Sequence, residues 1–488
     1  MFNRRELTKI LIFKKLLLRI SDFLFTERKL MIKKNNKKTI LFFVLFLIFV
    51  VSFTGAWKVI DGDYDKQNKV VLFFKELIPS KVSRKIRDII FIIPDLKTIN
   101  KDLTLQITKY EQGLDGQLFS ESEFDLGKKK ISYKKFFLPF PRLNVRAGYL
   151  SPTNSTRAHY LEVIGDKVLV ISGEGQTIFF KKKNIFNDKL EQKEIPNNIN
   201  DLFANGKIKF VGLRDLFVEN DKVYVSVIVQ DEKGFYSFNI YNADLDYDKL
   251  NFEIFFETKA YFKRWSVSTG GRIEKFKENK ILFTLGSSRV KGSPQDKNSL
   301  LGKIFSIDVN TKDYNLVSLG HRNPQGLFYD KDLDLVINAE HGPKGGDEIN
   351  LNFLKENKIP NYGFDIVSYG IEYNGTDPYK RGKTKKPHIE FGFEEPFIYY
   401  VPSIGISEIV FLNKENSFLK KNSLFVSSLR AGSMYVYELN DQLNTVEKEG
   451  RIYLGNERIR DLEYDPENEV FFIIDEITPS IGILKFKN

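Results

Sequence analysis

The chain has 488 residues, no Cys, four His and a formal net charge of +11. Its length suits two or three domains or one large repeat fold, and 42% hydrophobic content with 44 Phe and 22 Tyr excludes a disordered chain. The lack of Cys excludes disulfide scaffolds, thiol catalysis and Cys-bound metal centres, and four His leave little for a His-rich metal site.

The positive charge is concentrated at the N-terminus. Residues 1–38 contain 12 Lys and Arg against 3 Asp and Glu, whereas the rest of the chain contains 63 and 61. A basic patch on a folded domain would favour nucleic-acid binding. Because the body of this chain is nearly neutral, we expect no nucleic-acid partner.

The first predicted element is a membrane span at 39–57, which reads TILFFVLFLIFVVSFTGAW. Its 19 residues carry no charge, close to the roughly 20 needed to cross a bilayer. Four Lys lie in 33–38 and Trp57 ends the span. The positive-inside rule therefore predicts that 1–38 is a basic cytoplasmic segment. We expect a single-pass anchor in the inner (cytoplasmic) membrane, with the main domain on the periplasmic or extracytoplasmic side.

Other interpretations of this span stay open. A buried core helix would normally show a polar stripe, which 39–57 lacks. A cleaved signal peptide would have a shorter apolar region and a small-residue cleavage site, to which 52–54 is a poor match. The natural start could be Met31 instead of Met1, since a basic region would still precede the span. With either an anchor or a signal peptide, the body is exported.

Residues 58–145 are predicted to form a short, partly helical stalk or accessory region. The segments 69–78 and 82–93 place apolar residues at helical spacing, and Pro79 and Pro94 follow them. Such a region could hold the main domain away from the membrane.

From residue 146 onward, a polar turn followed by an aliphatic and aromatic strand recurs six times. The strands are expected to begin near 168, 223, 281, 335, 424 and 470. Six copies at this spacing predict an all-β fold, a six-bladed β-propeller over 146–488. An array of β-sandwiches is the alternative. The longest gap follows the fourth copy, so we expect an insertion there that carries functional loops.

Two unusual segments lie in and before that insertion. Residues 320–327 read GHRNPQGL, and 340–350 read EHGPKGGDEIN. The first presents a guanidinium and an amide, and the second is a glycine-rich loop whose carbonyl oxygens suit a hard cation. Together with NYG at 361–363 and GLRD at 212–215, these segments resemble the glucose/sorbosone dehydrogenase family. The members are exported six-bladed propellers that act as aldose sugar dehydrogenases with the cofactor pyrroloquinoline quinone (PQQ).

The resemblance implies that PQQ lies over the mouth of the central channel and that calcium binds the carbonyls of Gly342 and Pro343. The calcium ion would act as a Lewis acid on the quinone carbon that accepts hydride. PQQ has three carboxylates, which require cationic partners. The residues that the resemblance assigns to the cofactor site are Arg322, Asn323, His341, Arg430, Arg458 and Arg460.

The chain departs from the family pattern at the general base. The family has a His in an H-x-G-G-R-L motif, whereas this chain reads STGGRI and has Ser268 at the base position. The Asp that supports this His in the family is replaced by Ser287. A serine hydroxyl cannot act as a base near neutral pH. His341 is a weak substitute candidate, so the catalytic residue stays unassigned.

Three functions therefore remain in view. The first is a membrane-tethered, PQQ-dependent dehydrogenase of aldoses or related aldehydes and alcohols, whose electron acceptor the sequence does not identify. The second is a non-catalytic propeller of the same family that binds a ligand or cofactor. The third is a calcium-dependent lactonase-type hydrolase, which needs carboxylates around the central channel, and the sequence does not evidently supply them.

Overall fold

The structure is a computed structural model, and it describes residues 116–126, 129–140, 158–263, 266–354, 358–373, 375, 387–455 and 457–487. No helix within these ranges is long and apolar enough to cross a membrane. The predicted span at 39–57 and most of the predicted stalk lie outside the described residues.

The described residues form six antiparallel sheets, here called blades 1 to 6. Two strands precede blade 1 in the chain: β1 (Leu118–Leu126) and β2 (Lys129–Phe137). Blade 1 contains β3 (His159–Ile164), β4 (Lys167–Ser172), β5 (Thr177–Lys181) and β6 (Lys193–Ile195). Blade 2 contains β7 (Ile208–Glu219), β8 (Lys222–Asp231), β9 (Tyr236–Asp244) and β10 (Glu253–Glu257). Blade 3 contains β11 (Gly270–Phe276), β12 (Lys280–Leu285), β13 (Lys303–Asp308) and β14 (Tyr314–Leu319).

The remaining blades follow the same plan. Blade 4 contains β15 (Pro324–Asp330), β16 (Leu335–Glu340), β17 (Asp347–Phe353) and β18 (Ile398–Tyr400). Blade 5 contains β19 (Ile406–Leu412), β20 (Ser423–Ser428), β21 (Ser433–Leu439) and β22 (Val446–Tyr453). Blade 6 contains β23 (Ile459–Asp465), β24 (Val470–Asp475) and β25 (Ser480–Lys487), to which β2 and β1 are added. The described residues also contain three short 3-10 helices, at Lys182–Phe186, Asp201–Phe203 and His388–Phe391.

The six predicted strands are the second strands of the six blades, and they begin at 167, 222, 280, 335, 423 and 470. The polar turn before each one contains a residue with a positive φ angle, such as Asn279 (56°), Asp334 (46°) and Asn422 (59°). Asn and Asp tolerate this left-handed conformation better than most residues. The recurring polar turn in the sequence therefore indicates that the hairpins of the six blades share one turn geometry. The six-bladed propeller is confirmed.

The first strands of the blades form a closed ring. Each of β3, β7, β11, β15, β19 and β23 contacts the first strand of the next blade, and β23 contacts β3. Apolar side chains fill the space between neighbouring blades, as Phe238 of blade 2 does against Phe283 of blade 3. A β-sandwich array would not close in this way, so the alternative is excluded.

The last blade is completed by residues that we had assigned to the stalk. Strand β2 pairs with β25 from Lys130↔Lys487 to Phe137↔Ser480, and β1 pairs with β2. Lys135 of β2 is buried and forms ion pairs with Asp475 (2.9 Å) and Glu457 (3.2 Å). The propeller sheet therefore starts before residue 146. The many lysines of β2 made this segment read as a polar, solvent-exposed stretch. The carboxylates that pair with Lys135 are too distant in sequence to indicate a buried strand.

Candidate functional site

Three of the predicted cofactor arginines converge around His341. Arg322 Nη1 donates a hydrogen bond of 2.9 Å to the His341 carbonyl oxygen. Arg458 and Arg460 both pair with Glu476, at 2.9 and 2.5 Å. Burial, together with the positive charges of these three arginines, lowers the pKa of the His341 imidazole to about 3. All of these residues lie near the start of a first strand or just after a second strand, which places them at the same end of the propeller.

The arginine cluster carries more positive charge than its bonded carboxylate can neutralise. Burial alone would raise the pKa of Glu476, but its pairing with Arg460 and Arg458 lowers this pKa to about 2. Glu476 is therefore ionised at neutral pH. Glu476 pairs with Arg458 and Arg460, whereas Arg322 donates to a carbonyl oxygen, so the cluster suits an anionic ligand.

Asn323 and Arg460 are connected through Gln325. The Gln325 amide accepts from Arg460 Nη1 at 2.7 Å and donates to Asn323 Oδ1 at 3.2 Å. Asn323 Oδ1 also accepts from the backbone N–H of Gly270 at 3.0 Å. Sequence reasoning missed the role of Gln325, although it lies in the same RNPQG segment as Arg322 and Asn323.

A buried network holds the backbone of Arg322. Glu340 Oε2 accepts from Arg322 N at 2.6 Å, and Glu340 Oε1 lies 2.8 Å from His321 Nδ1. His321 Nε2 is 2.7 Å from Ser318 Oγ. This Ser–His–Glu arrangement resembles a hydrolase triad in its distances, but all three side chains are buried. Its contacts indicate that it positions the Arg322 segment.

Arg430 is the most exposed of the predicted cofactor residues. Its neighbour Leu429 accepts a hydrogen bond of 3.2 Å from Arg458 Nη1, which places Arg430 beside the arginine cluster. Gly405 lies against Arg430, since a Cβ added to Gly405 would be 3.0 Å from Arg430 Cβ. The backbone N–H of Gly405 donates a hydrogen bond of 2.8 Å to Asp347 in the glycine-rich loop. Arg430 therefore lies between the cluster and the glycine-rich loop.

The glycine-rich loop at 342–347 is tightly folded on itself. An added Cβ at Gly342 would lie 1.8 Å from the Gly346 carbonyl oxygen, so no other residue fits there without a shift. Asp347 holds the loop, since it accepts from the backbone of Gly342, Gly405 and Ile406. Both carboxylate oxygens of Asp347 are thus engaged in hydrogen bonds to backbone N–H groups. Among the described residues, no group of three His, Asp or Glu side chains is arranged to hold a metal ion.

The predicted base position lies beside the arginine site. An added Cβ at Gly286 would lie 2.4 Å from the Ser268 carbonyl oxygen and 2.9 Å from that of Arg322. Ser287 N donates to this Arg322 oxygen at 2.8 Å. Ser268 is 1% exposed, and neither its hydroxyl nor that of Ser288 has a hydrogen-bond partner among the described residues.

The four histidines offer no strong alternative base. A His341 imidazole with a pKa of about 3 binds a proton too weakly. His321 is held between Ser318 and Glu340. His159 is fully buried against Phe140, and His388 lies in a stack of rings in blade 4.

The central channel contains the carboxylates that we did not expect from the sequence. Arg272 on β11 forms ion pairs with Asp215, Glu408 and Asp461, which come from three other blades. A cavity of about 500 Å³ beside them is also lined by the acidic residues Glu162, Glu274 and Glu463. Arg272, which also lines this cavity, already pairs with three of the carboxylates.

The family model for glucose/sorbosone dehydrogenase matches residues 159–481. The chain belongs to this family. The matched range extends from β3 into β25 and so includes strands of all six blades. The family resemblance inferred from the sequence motifs is confirmed.

Two relatives are similar to parts of this glucose/sorbosone dehydrogenase family member. Aldose sugar dehydrogenase YliI of Escherichia coli (strain K12) is 29% identical over 222 residues, which cover 42% of this chain and 57% of YliI. The uncharacterized protein slr1608 of Synechocystis sp. (strain ATCC 27184 / PCC 6803 / Kazusa) is 27% identical over 301 residues, covering 56% and 70%. In the first match, the chain spans less than two thirds of YliI.

Solved structures share the fold. A glucose dehydrogenase crystal structure matches with a TM-score of 0.55 and 21% identity, covering 68% of this chain and 97% of the other. The soluble aldose sugar dehydrogenase of Escherichia coli, in its apo form, gives 0.52 and 22%, covering 67% and 95%. The holo PQQ domain of pyranose dehydrogenase from Coprinopsis cinerea gives 0.51 and 10%, covering 75% and 97%. At these identities the likeness establishes the fold alone.

Proposed function

We propose that this chain is a PQQ-dependent oxidoreductase that acts on aldoses or related aldehydes and alcohols. The observation that carries the proposal is the convergence of Arg322, Arg458 and Arg460 beside the glycine-rich loop at 342–347. Such a group of arginines suits a small ligand with several carboxylates, and PQQ has three. Membership of the glucose/sorbosone dehydrogenase family supports the same chemistry.

The residues present fit the cofactor and its metal ion. Arg322, Arg458 and Arg460 would bind the carboxylates, while Arg430 would close the exposed side. Gly342 and Pro343 would offer carbonyl oxygens to calcium, a ligand type that calcium accepts. When bound, PQQ supplies the two-electron acceptor, and calcium makes it more electrophilic. The close approach of the Gly346 carbonyl oxygen to Gly342 excludes a side chain, so this part of the loop consists of backbone groups.

The proton of the substrate hydroxyl has no evident acceptor at Ser268. A second function is therefore proposed beside the first: a propeller that binds PQQ or a similar anion without turnover. The observation that favours it is the buried Ser268 hydroxyl, which lacks any partner among the described residues and cannot act as a base. A substrate such as an aldehyde hydrate, with another proton path, would keep the first function possible.

Reconstitution separates the two functions. Full-length protein, loaded with PQQ and calcium, is titrated by absorbance and then assayed for dye reduction across a panel of aldoses and aldehydes. Binding with turnover supports the dehydrogenase, and binding without turnover supports the second function. The absence of any binding contradicts both. Arg322→Leu should weaken binding by about tenfold or more, whereas Lys421→Ala, at an exposed lysine of blade 5, should not.

The membrane anchor at 39–57 and the exported location of the propeller are also proposals. Because the chain has no Cys, a single introduced cysteine is a unique label. Lys421→Cys places it on an exposed position of blade 5. We expect an impermeant maleimide to label this cysteine in intact cells whose outer envelope is permeable to it. Labelling only after lysis would contradict an exported propeller.

A further inference from the structure

Lys303, the first residue of β13, is fully buried, and backbone oxygens surround its ammonium group. Its Nζ donates to the carbonyl oxygens of Ser293 (2.7 Å), Pro294 (3.0 Å) and Leu301 (2.9 Å). An ammonium group has three N–H donors, so these acceptors use all of them. Burial lowers the pKa of Lys303 to about 8, although the negative charge of Asp296 opposes this shift. The side chain therefore remains mostly charged at neutral pH.

The three acceptor oxygens belong to one closed loop between β12 and β13, residues 286–302. Gly302 N donates to the Gly286 carbonyl oxygen at 3.1 Å, which brings the two ends of the loop together. Such compact loops are usually packed by side chains of their own. In this loop the ammonium of Lys303, the next residue, binds the backbone from inside. An apolar side chain there would leave the three buried oxygens without this donor, which destabilises a fold.

The 286–302 loop contacts two parts of the candidate site. Ser287 N donates to the Arg322 carbonyl oxygen at 2.8 Å, and Ser288 N donates to the Ser268 carbonyl oxygen at 2.7 Å. One short stretch of backbone thus joins the arginine cluster to the predicted base position. A displacement of the loop would move the chain at both places.

A second contact connects Lys303 with the Arg322 segment more directly. The carbonyl oxygen of Pro294 accepts from Gly320 N at 3.1 Å, in addition to its bond from Lys303. Gly320 precedes Arg322 by two residues. The Pro294 oxygen therefore lies between the buried ammonium and the chain that leads into Arg322.

We propose that Lys303 is a positioning residue of the arginine site. Through the 286–302 loop, its ammonium fixes the backbone of Ser268 and Arg322 and so the direction in which the Arg322 guanidinium points. This inference rests on the proposed function only for the ligand, because PQQ is the anion that Arg322 would bind. The position of the backbone is a property of the chain itself and can be measured without the cofactor.

The first test is hydrogen–deuterium exchange of the full-length, cofactor-free chain. Lys303→Met removes the charge and keeps a long side chain. We expect backbone amides in both 286–302 and 320–323 to exchange about tenfold faster, because local opening becomes easier. Lys297→Met is the matched control, since Lys297 is an exposed lysine of the same loop, and it should leave exchange unchanged. Faster exchange confined to 286–302, or no change in either range, would overturn the positioning role.

The second test is a PQQ titration followed by absorbance. Lys303→Met should weaken binding by about tenfold, because a small displacement of a binding group is enough for such a loss, whereas Lys297→Met should bind like the wild type. Unchanged affinity in Lys303→Met would contradict the proposal. If the wild type binds no PQQ, the proposed function fails, and the exchange result still decides the role of Lys303.

The third test asks whether the positive charge itself is needed. Lys303→Ala lacks the atoms that n-propylammonium supplies, and n-propanol has a similar size without the charge. We expect n-propylammonium, and not n-propanol, to restore slow exchange in 286–302 and 320–323. If Lys303→Met does not fold, the same comparison is made during refolding of Lys303→Ala, and only the amine should raise the folded yield. An equal effect of the two compounds, or no effect of either, would overturn the role of the ammonium.

Discussion

His321 Nδ1 lies 2.8 Å from Glu340 Oε1, inside the seam between blades 3 and 4. Glu340 also accepts from Arg322 N (2.6 Å) and from Asn350 Nδ2 (3.0 Å). Burial would raise the pKa of Glu340, but His321 and the backbone N–H groups of Arg322 and Asn323 lower it. The carboxylate therefore stays ionised and joins the third and fourth blades at the point where Arg322 leaves the sheet.

Glu340→Gln should destabilise the fold and weaken PQQ binding together. The substitution keeps the shape but turns an amide N–H₂ toward groups that already donate, which leaves buried donors unpaired at a cost of about 2–4 kcal/mol. Denaturant unfolding and a PQQ titration measure the two effects. Glu232→Gln, at an exposed turn of blade 2, is the control. Unchanged PQQ affinity in a destabilised Glu340→Gln would show that the network does not position Arg322.

Ser268→His should raise dye reduction if the missing base is the only defect. A positioned base typically contributes about 10²–10⁴ in rate. The new imidazole needs space in a buried place, and Ser288 is a neighbour whose N–H donates to the Ser268 carbonyl oxygen at 2.7 Å. Ser288→Gly is the useful second change, because Ser288 has a φ of 47° that glycine adopts without strain. Ser268→Ala, which adds no base, should not raise the rate. A loaded Ser268→His/Ser288→Gly protein without turnover would favour the non-catalytic function.

His341→Gln should make the fold less sensitive to acid. The folded pKa of His341, about 3, is below that of an unfolded histidine near 6.5. Between these values the unfolded chain binds more protons, so stability falls as the pH falls from 6.5 toward 3. Glutamine cannot titrate and should reduce this slope. Chemical unfolding at pH 4, 5 and 7 measures it, and equal slopes in both proteins would contradict the assigned pKa.

Arg272→Met should be among the most destabilising single changes in the described chain. It would leave Asp215, Glu408 and Asp461 buried without their shared cation, at a cost of about 3–5 kcal/mol. The pKa of Asp215 is already raised to about 7, because burial outweighs the pairing with Arg272. The deficit should therefore shrink as the pH falls and Asp215 becomes protonated. Arg289→Met, at an exposed site, should have little effect, and a pH-independent deficit would speak against unpaired charge as the cause.

Removal of β1 and β2 should destabilise the propeller. A chain that starts at residue 146 lacks the partners of β25 and leaves Asp475 without Lys135 and Tyr133. Thermal melting and gel filtration should show a lower Tm and association through the open strand edge. A chain that starts just before Gly116 retains the pairing and is the control. Equal melting of the two fragments would show that β1 and β2 are dispensable.

Local sequence was sufficient to predict the blades. Each second strand follows a turn whose Asn, Asp, Glu or Gly adopts a left-handed conformation, and the apolar strand after it is buried on both faces. Both signals lie within about ten residues, so a single sequence carries them. The family motifs around Arg322 and Gly342 were also recognisable, because each is one continuous loop.

The tertiary structure alone decided which distant groups meet. Lys135 and Asp475 are 340 positions apart, and Arg272 reaches carboxylates on three other blades. Nothing in the local pattern of Asp215 or Asp461 distinguishes a channel-lining carboxylate from a solvated one, so the acidic channel was missed. Closure of a ring brings such residues together through the geometry of six sheets, whereas sequence periodicity reports only the conformation of each sheet. The sequence therefore determined the repeating unit and its loops, and ring closure decided the last blade, the charge of the channel and the contacts of the arginine site.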